Sequence, residues 1–250
     1  MLGKRLLTTL LETIRNRKRN SGIEVDAQST STEASLYRHN TFSQAGEDVI
    51  IDFVSRQCEI NITDYFDIGA SHPFEFSNTA LFYFRGASGV CVEPIPSMAE
   101  AFKVARKRDT VINNVVSSAA DPVDFFIIEP STLSTLEPEA LKRALKTPGA
   151  TLIETIKVNS TSLDQLFEHH GVPQLLCIDV EGGDMEVLQT WNMEKYRPKL
   201  LCVEDLEYSA ERKEKRSIGV TDLLVENGYM LFANTFINSI LIDKNLWIES

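Results

Sequence analysis

Apolar runs and amphipathic stretches take turns along this chain from about residue 41 onward, and their alternation predicts strands and helices in regular succession. Tyr65–Gly69, Gly89–Glu93, Val111–Ser117, Leu175–Val180 and Leu200–Asp205 are short and almost wholly apolar, the pattern of strands buried on both faces. Between them, Ser77–Arg85, a helix opened by Ser97, Ser162–His170, Asp184–Trp191 and Val220–Asn227 read as helices. Ser97 with Glu100, and Ser162 with Gln165, have the spacing of capping boxes, while Gly86, Gly171 and Gly228 stand where helices stop. Arg106, Lys107 and Arg108 at the end of the second helix suit the negative end of its dipole. Asp124–Glu129 and Thr155–Asn159 read as further strands around an interrupted helix, Leu136–Lys146, and a Pro148-Gly149 turn. Tyr229–Ala233 and Ser239–Asp243 close the chain with so short a connection that the last strand must run antiparallel.

The order is β-α-β-α-β, an insertion, then β-α-β-α-β-β. That predicts an α/β domain with a mostly parallel seven-stranded sheet, helices on both faces and an antiparallel last strand, the Rossmann-like pattern of class I methyltransferases. Residues 41–250 form this domain. Residues 1–40 precede it as an amphipathic basic helix and a polar, Ser/Thr-rich linker. Leu2, Leu6, Leu7, Leu10, Leu11 and Ile14 share one face of the helix, with basic residues at its ends. Two readings stand for that face: peripheral contact of residues 1–20 with an anionic membrane, or packing on its own domain or on a second subunit in a homodimer.

Charge narrows the partners. The chain is 250 residues long with a formal net charge of -11, which disfavours nucleic acid. Cys58, Cys91, Cys177 and Cys202 show neither metal-knuckle nor CxxC spacing, and three of them fall in apolar strands; a reducing, cytoplasmic setting is expected. No apolar run reaches membrane-spanning length.

Candidate chemistry lies where the strands end, because an open parallel sheet binds ligands beyond the carboxyl ends of its strands. Asp67-Ile68-Gly69-Ala70 ends the first, Glu93-Pro94 the second, Asn114 to Ser117 the third, Asp179-Val180-Glu181-Gly182 the next and Glu204-Asp205 the one after. Acids recur there without a GxGxxG or Walker loop, so a pyrophosphate is poorly matched. A cofactor with ribose, adenine and a cationic sulfonium is matched well.

Ser43-Gln44-Ala45-Gly46-Glu47-Asp48, Asp67-Ile68-Gly69-Ala70 with His72-Pro73 and Ser77-Asn78-Thr79, Glu93-Pro94 with Pro96, and Leu163-Asp164 followed by Ile178-Asp179-Val180-Glu181-Gly182 together resemble the FkbM family of S-adenosylmethionine (SAM)-dependent O-methyltransferases. Cys177 departs from the family pattern, where many members carry lysine. The resemblance implies SAM as cofactor and hydroxyls of sugars, glycolipids or glycosylated small molecules as acceptors. It implies that Asp67, Ile68, Gly69 and Ala70 line the methionine part, that Glu93 and Pro94 hold the ribose, and that Asn114 and Ser117 lie near adenine. Gln44, Glu47 and Asn78 would close the pocket, and Asp179 and Glu181 would face the moving methyl group. A base is expected for an alcohol, with His72, Asp179 and Glu181 as candidates; Glu181 could instead fix the following helix. A Mg ion on Asp179 and Asp205 is a further option. Two other readings compete: an NAD(P)-dependent reductase or epimerase, against which stand the missing glycine fingerprint and Tyr-x-x-x-Lys pair, and a non-catalytic scaffold. Residues 130–160 and the N-terminal segment are expected to shape the acceptor pocket.

Overall fold

A computed structural model of the chain describes residues 41–119, 122–204, 206–207, 215–216 and 219–247. The predicted helix and linker of residues 1–40, and Asp205, lie outside the described residues. Helix α1 (Glu47–Gln57) leads into β1 (Asp64–Ile68), α2 (Ala80–Phe84), β2 (Ser88–Val92), α3 (Pro96–Ala105) and β3 (Thr110–Ile112). There follow β4 (Val115–Val116), β5 (Val123–Glu129), α4 (Pro138–Ala144), β6 (Thr151–Val158), β7 (Ser160–Thr161) and α5 (Leu163–His170). The chain continues through β8 (Leu175–Ile178), α6 (Asp184–Gln189), β9 (Leu200–Glu204), β10 (Leu206–Glu207), β11 (Lys215–Arg216), α7 (Val220–Glu226), β12 (Tyr229–Asn234) and β13 (Asn238–Asp243).

Seven strands form one sheet in the order β12-β13-β9-β8-β1-β2-β3. The pairs from β9 to β3 are parallel, whereas β13 runs antiparallel to both β9 and β12. The reversed strand is therefore inside the sheet, one place from the edge, because the β12–β13 hairpin docks through its second strand.

Side-chain alternation sorts the apolar strands into two cores. Phe66, Ile68, Val92, Ile178 and Val203 face α5, α6 and α7 through Leu163, Phe167, Val187, Leu188 and Leu224. Tyr65, Cys91, Cys177, Cys202 and Ile240 face the other way, against Ile51 and Val54 of α1, Phe82 and Tyr83 of α2 and Phe102 of α3. Cys91, Cys177 and Cys202 are free thiols in this second core, so the cysteine standing where a lysine was expected serves as a small buried hydrophobe. Tyr83 is buried with Arg108 over its ring.

Three local expectations change. The run Val111–Ser117 divides: β3 stays on the main sheet, and β4 leaves it to pair with β7. Helix α3 begins one residue early with Pro96 in its first turn and makes no side-chain cap; Glu100 pairs with Lys103 instead. The Ser162–Gln165 capping box forms as predicted. Helix α1, absent from the sequence expectation, is nucleated by its own polar turn. Asp48 accepts hydrogen bonds from the Phe42 amide, the Ser43 hydroxyl and its own neighbour Val49 N, while Ser43 Oγ accepts from Gly46 N and Asp48 N.

Candidate functional site

An open cleft runs over the carboxyl ends of β1, β2 and β8. Its floor is the β1 loop. Gly69 N and Ala70 N donate to Val92 O, and Asp179 N donates to Ile68 O, so three neighbouring strand ends are tied together. Gly69 has φ +79°, and a Cβ there would stand 1.8 Å from the carbonyl oxygen of Asp179. Glycine is required on both counts. Gly69→Ala is expected to lower stability by about 3 kcal/mol or more, combining overpacking with left-handed strain. Urea denaturation checks this, and a loss under about 1 kcal/mol would show that the β8 loop can yield.

Glu93 is the hinge between two loops. One carboxylate oxygen accepts from Ser71 N at 2.7 Å and the other from Ile95 N at 2.7 Å. Each oxygen keeps a lone pair for a ligand. Burial pushes the Glu93 carboxyl up to about 7 despite those two amides. Asn113 secures the same turn by donating to the carbonyls of Glu93 and Pro94, while its neighbour Asn114 lines the cleft.

Asp67 receives the Thr79 hydroxyl at 2.5 Å. Burial raises it to about 6, the Arg106 charge and the Thr79 hydrogen bond opposing. Asp179 and Glu181 are half-buried and line the cleft, and the protein around them desolvates both. Asp179 rises to about 7, through burial first and then the charges of Asp184 and Asp67. Glu181, a non-glycine residue at φ +56°, is raised by burial and by Asp179 and Asp184. Glu204 is raised by burial and by the charges of Asp179, Glu181 and Asp184.

These acids set a pH dependence. Asp67, Glu93, Asp179 and Asp184 have folded values of about 6 to 7 against ordinary values of 3.8 and 4.5. The folded state thus holds more protons than the unfolded chain between those limits, and stability falls as pH rises through that window. Glu47, packed beside these acids, is lowered and acts in the opposite sense. The ligand-free protein is expected to melt higher at about pH 5.5 than at about pH 8, and equal melting temperatures would contradict the carboxylate strain.

Of the residues singled out from the sequence, Gln44, Asp67, Ile68, Gly69, Ala70, Asn78, Glu93, Pro94, Asn114, Asp179 and Glu181 line the cleft. Three do not. Ser117 turns away and donates its hydroxyl to Glu186 at 2.6 Å. His72 lies outside the lining, and its Nδ1 accepts from Phe74 N and Glu75 N, which fixes the loop rather than presenting a base. Glu47 is fully buried behind the cleft, where it accepts from Ala45 N, the Thr235 hydroxyl and the Asn238 side-chain amide. The N-terminus of α6 has no side-chain cap, and Asp184, its first residue, accepts from Val180 N in the preceding loop. Among the described residues no group of three or more His, Cys, Asp or Glu side chains is placed to hold a metal ion.

Sequence reasoning missed Asn238 and the exposed Phe76, and it named only the segment that supplies Ser131, Thr132 and Ser134. No spacing signal marks Asn238, which reaches the cleft through the reversal of β13.

Residues 67–231 match the family described as the Methyltransferase FkbM domain. The chain belongs to that family. The FkbM match opens at Asp67 and takes in Glu93, Asp179 and Glu204. None of the curated proteins compared with the chain matches it. Solved structures similar to this FkbM chain include one described as "a putative O-methyltransferase from Klebsiella pneumoniae", with 11% identity over 84% of each chain and a TM-score of 0.40. Another is the O-methyltransferase from Bacillus cereus in complex with SAH, with 11% identity over 94% of this chain and 89% of that chain and a TM-score of 0.42. No described helix of the FkbM chain is long and apolar enough to cross a membrane.

Proposed function

We propose that this chain is a SAM-dependent O-methyltransferase that acts on a hydroxyl of a sugar, glycolipid or glycosylated small molecule. The observation that carries this reading is the gathering of Asp67, Gly69, Glu93, Asp179 and Glu181 into one cleft of an FkbM domain. The cleft fits the cofactor. Glu93 offers two carboxylate lone pairs at a ribose-holding position, and Gly69, lacking a side chain, lets the cleft-lining β1 loop pack against the Asp179 carbonyl. The Asn78 Oδ1 atom is buried without a hydrogen-bond partner, an acceptor awaiting a donor. The clustered acids, costly when they ionise together, match a positive charge.

When bound, SAM supplies an electrophilic methyl group on a sulfonium. The chain's part is to align, to exclude water and to move a proton. Glu93 and the β1 loop fix the nucleoside, leaving the acceptor oxygen to be held in line with the bond that breaks, where much of the acceleration arises. Asp179 is the proton acceptor assigned here, raised by its surroundings to near neutrality and open to the cleft, whereas His72 is engaged in its own loop.

Calorimetric titration with SAM, NAD and NADP tests the reading. SAM alone is expected to bind; binding of NAD instead would favour a reductase. The SAM-to-SAH affinity ratio is expected to increase through the window of about 6 to 7 in which Asp67 and Asp179 ionise, because only SAM carries the sulfonium charge. A pH-independent ratio would mean that these carboxylates do not face the sulfur.

A further inference from the structure

Asn238 opens the reversed strand β13 directly opposite Glu204 of β9. It is 2% exposed, yet it lines the cleft. Its orientation is over-determined. The backbone amide donates to Thr235 Oγ1 at 3.1 Å and the backbone carbonyl accepts from Thr235 N at 2.9 Å. The side-chain Nδ2 donates to Glu47 Oε1 at 3.3 Å, and the same oxygen takes the Thr235 hydroxyl at 2.7 Å. Burial alone would raise Glu47, but hydrogen bonds from Thr235, Ala45 N, its own amide and Asn238 outweigh it and hold Glu47 ionised. An ionised carboxylate only accepts, so the nitrogen of the Asn238 carboxamide must face Glu47 and the oxygen must face away. That oxygen has no hydrogen-bond partner.

A buried acceptor left open is costly unless a ligand satisfies it. The strand order places it. Glu93, at the end of β2, lies on one side of β1; β8, β9 and β13 follow in turn on the other. Asn238 therefore stands beyond Asp179, away from the ribose-holding end.

We propose that Asn238 Oδ1 receives a hydrogen bond from a hydroxyl of the methyl-accepting molecule, and that Glu47 is the positioning residue that aims it. This rests on the methyltransferase reading above and deepens it. A carboxamide oxygen is neutral and suits a neutral hydroxyl; a cationic amine would be better matched by a carboxylate at the same place.

The test uses the whole chain saturated with SAH. The side-chain amide resonance of Asn238, assigned by its loss in Asn238→Ser, is followed during titration with the methyl glycosides of glucose, galactose, mannose and rhamnose, and separately with ethanolamine. At least one glycoside is expected to shift that resonance saturably. Glu47→Gln is expected to weaken the same glycoside tenfold or more while SAH affinity stays within twofold. Asn238→Ser, which leaves Glu47 unopposed by any new charge, is expected to show the same split, and its melting curve establishes that it is folded. Failure of every glycoside to shift the resonance overturns the proposal, as does a shift with ethanolamine alone. A tenfold loss of SAH affinity in Asn238→Ser overturns it too, by assigning the residue to the cofactor. Absence of SAH binding in the unaltered protein is a separate result, which removes the methyltransferase reading itself.

Discussion

Replacing Arg106 by methionine is expected to destabilise the protein by about 3–5 kcal/mol, the loss seen when one partner of a buried ion pair is removed. Arg106 is 0% exposed. Its Nε donates to Asp109 at 2.6 Å, and its two terminal nitrogens donate to Pro73 O, Ser77 Oγ, Tyr65 Oη and Thr79 Oγ1. The guanidinium also lies over the rings of Tyr65, Tyr83 and Phe102. Methionine fills much of the same volume but leaves Asp109 charged, buried and short of its cation. It also releases three oxygens of the 73–79 loop, which borders the cleft. For a domain of this size the loss corresponds to roughly 6–20 °C in Tm. Arg106→Lys keeps the charge without the fork and is expected to fall between. Pairing Arg106→Met with Asp109→Leu should recover part of the loss, since apolar replacements of both partners are often tolerated. A Tm change under about 3 °C in Arg106→Met would mean that the network is not what holds the loop.

The second large effect is on binding. Glu93→Ala is expected to weaken SAH by roughly 100-fold or more, because hydrogen bonds to a charged group contribute about 1.5–3 kcal/mol each. Two consequences combine: the ribose loses its carboxylate, and the amides of Ser71 and Ile95 lose the acceptor that fixes both loops. Glu93→Gln is not a mild change here. Its amide nitrogen must face one of two backbone N–H donors, so it is expected to lose affinity as well. Calorimetry with SAH, on variants whose near-ultraviolet circular dichroism matches the parent, checks both. Affinity within threefold of the parent in Glu93→Ala would refute the ribose assignment.

What the sequence disclosed and what it hid divide by range. Asp67-Ile68-Gly69 and Asp179-Val180-Glu181-Gly182 were legible because a strand end is a local event: an apolar run stops, and an acid and a glycine follow. Glu47 was legible only as a member of a motif. Its partners Thr235 and Asn238 stand 188 and 191 positions away, a separation that no pattern of neighbours reveals. Arg106 shows a different limit. Among Arg106, Lys107 and Arg108, helix-end electrostatics treats all three alike, and only the packing of Tyr65 and Asp109 selects the one to be buried. The seven-stranded, mostly parallel sheet followed from the apolar runs, but the departure of β4 to meet β7 did not. It depends on Val115 packing with Ile95, Phe125 and Val158 in a small cluster of its own.

The reversal of β13 carries a consequence for assembly during synthesis. Strand β9 emerges from the ribosome with one edge destined for a partner more than thirty positions downstream, since Ile240 pairs with Cys202. Until the β12–β13 hairpin arrives and docks as a unit, the nascent chain presents Leu200–Glu204 as an unpaired, almost wholly apolar edge. Glu47, near the beginning of the domain, waits over the same interval for Thr235 and Asn238. The cleft is thus closed by its last-made segment. A translating ribosome holds the Asp67 and Glu93 loops ready well before it can hold a finished site, and chaperone demand should peak in that interval.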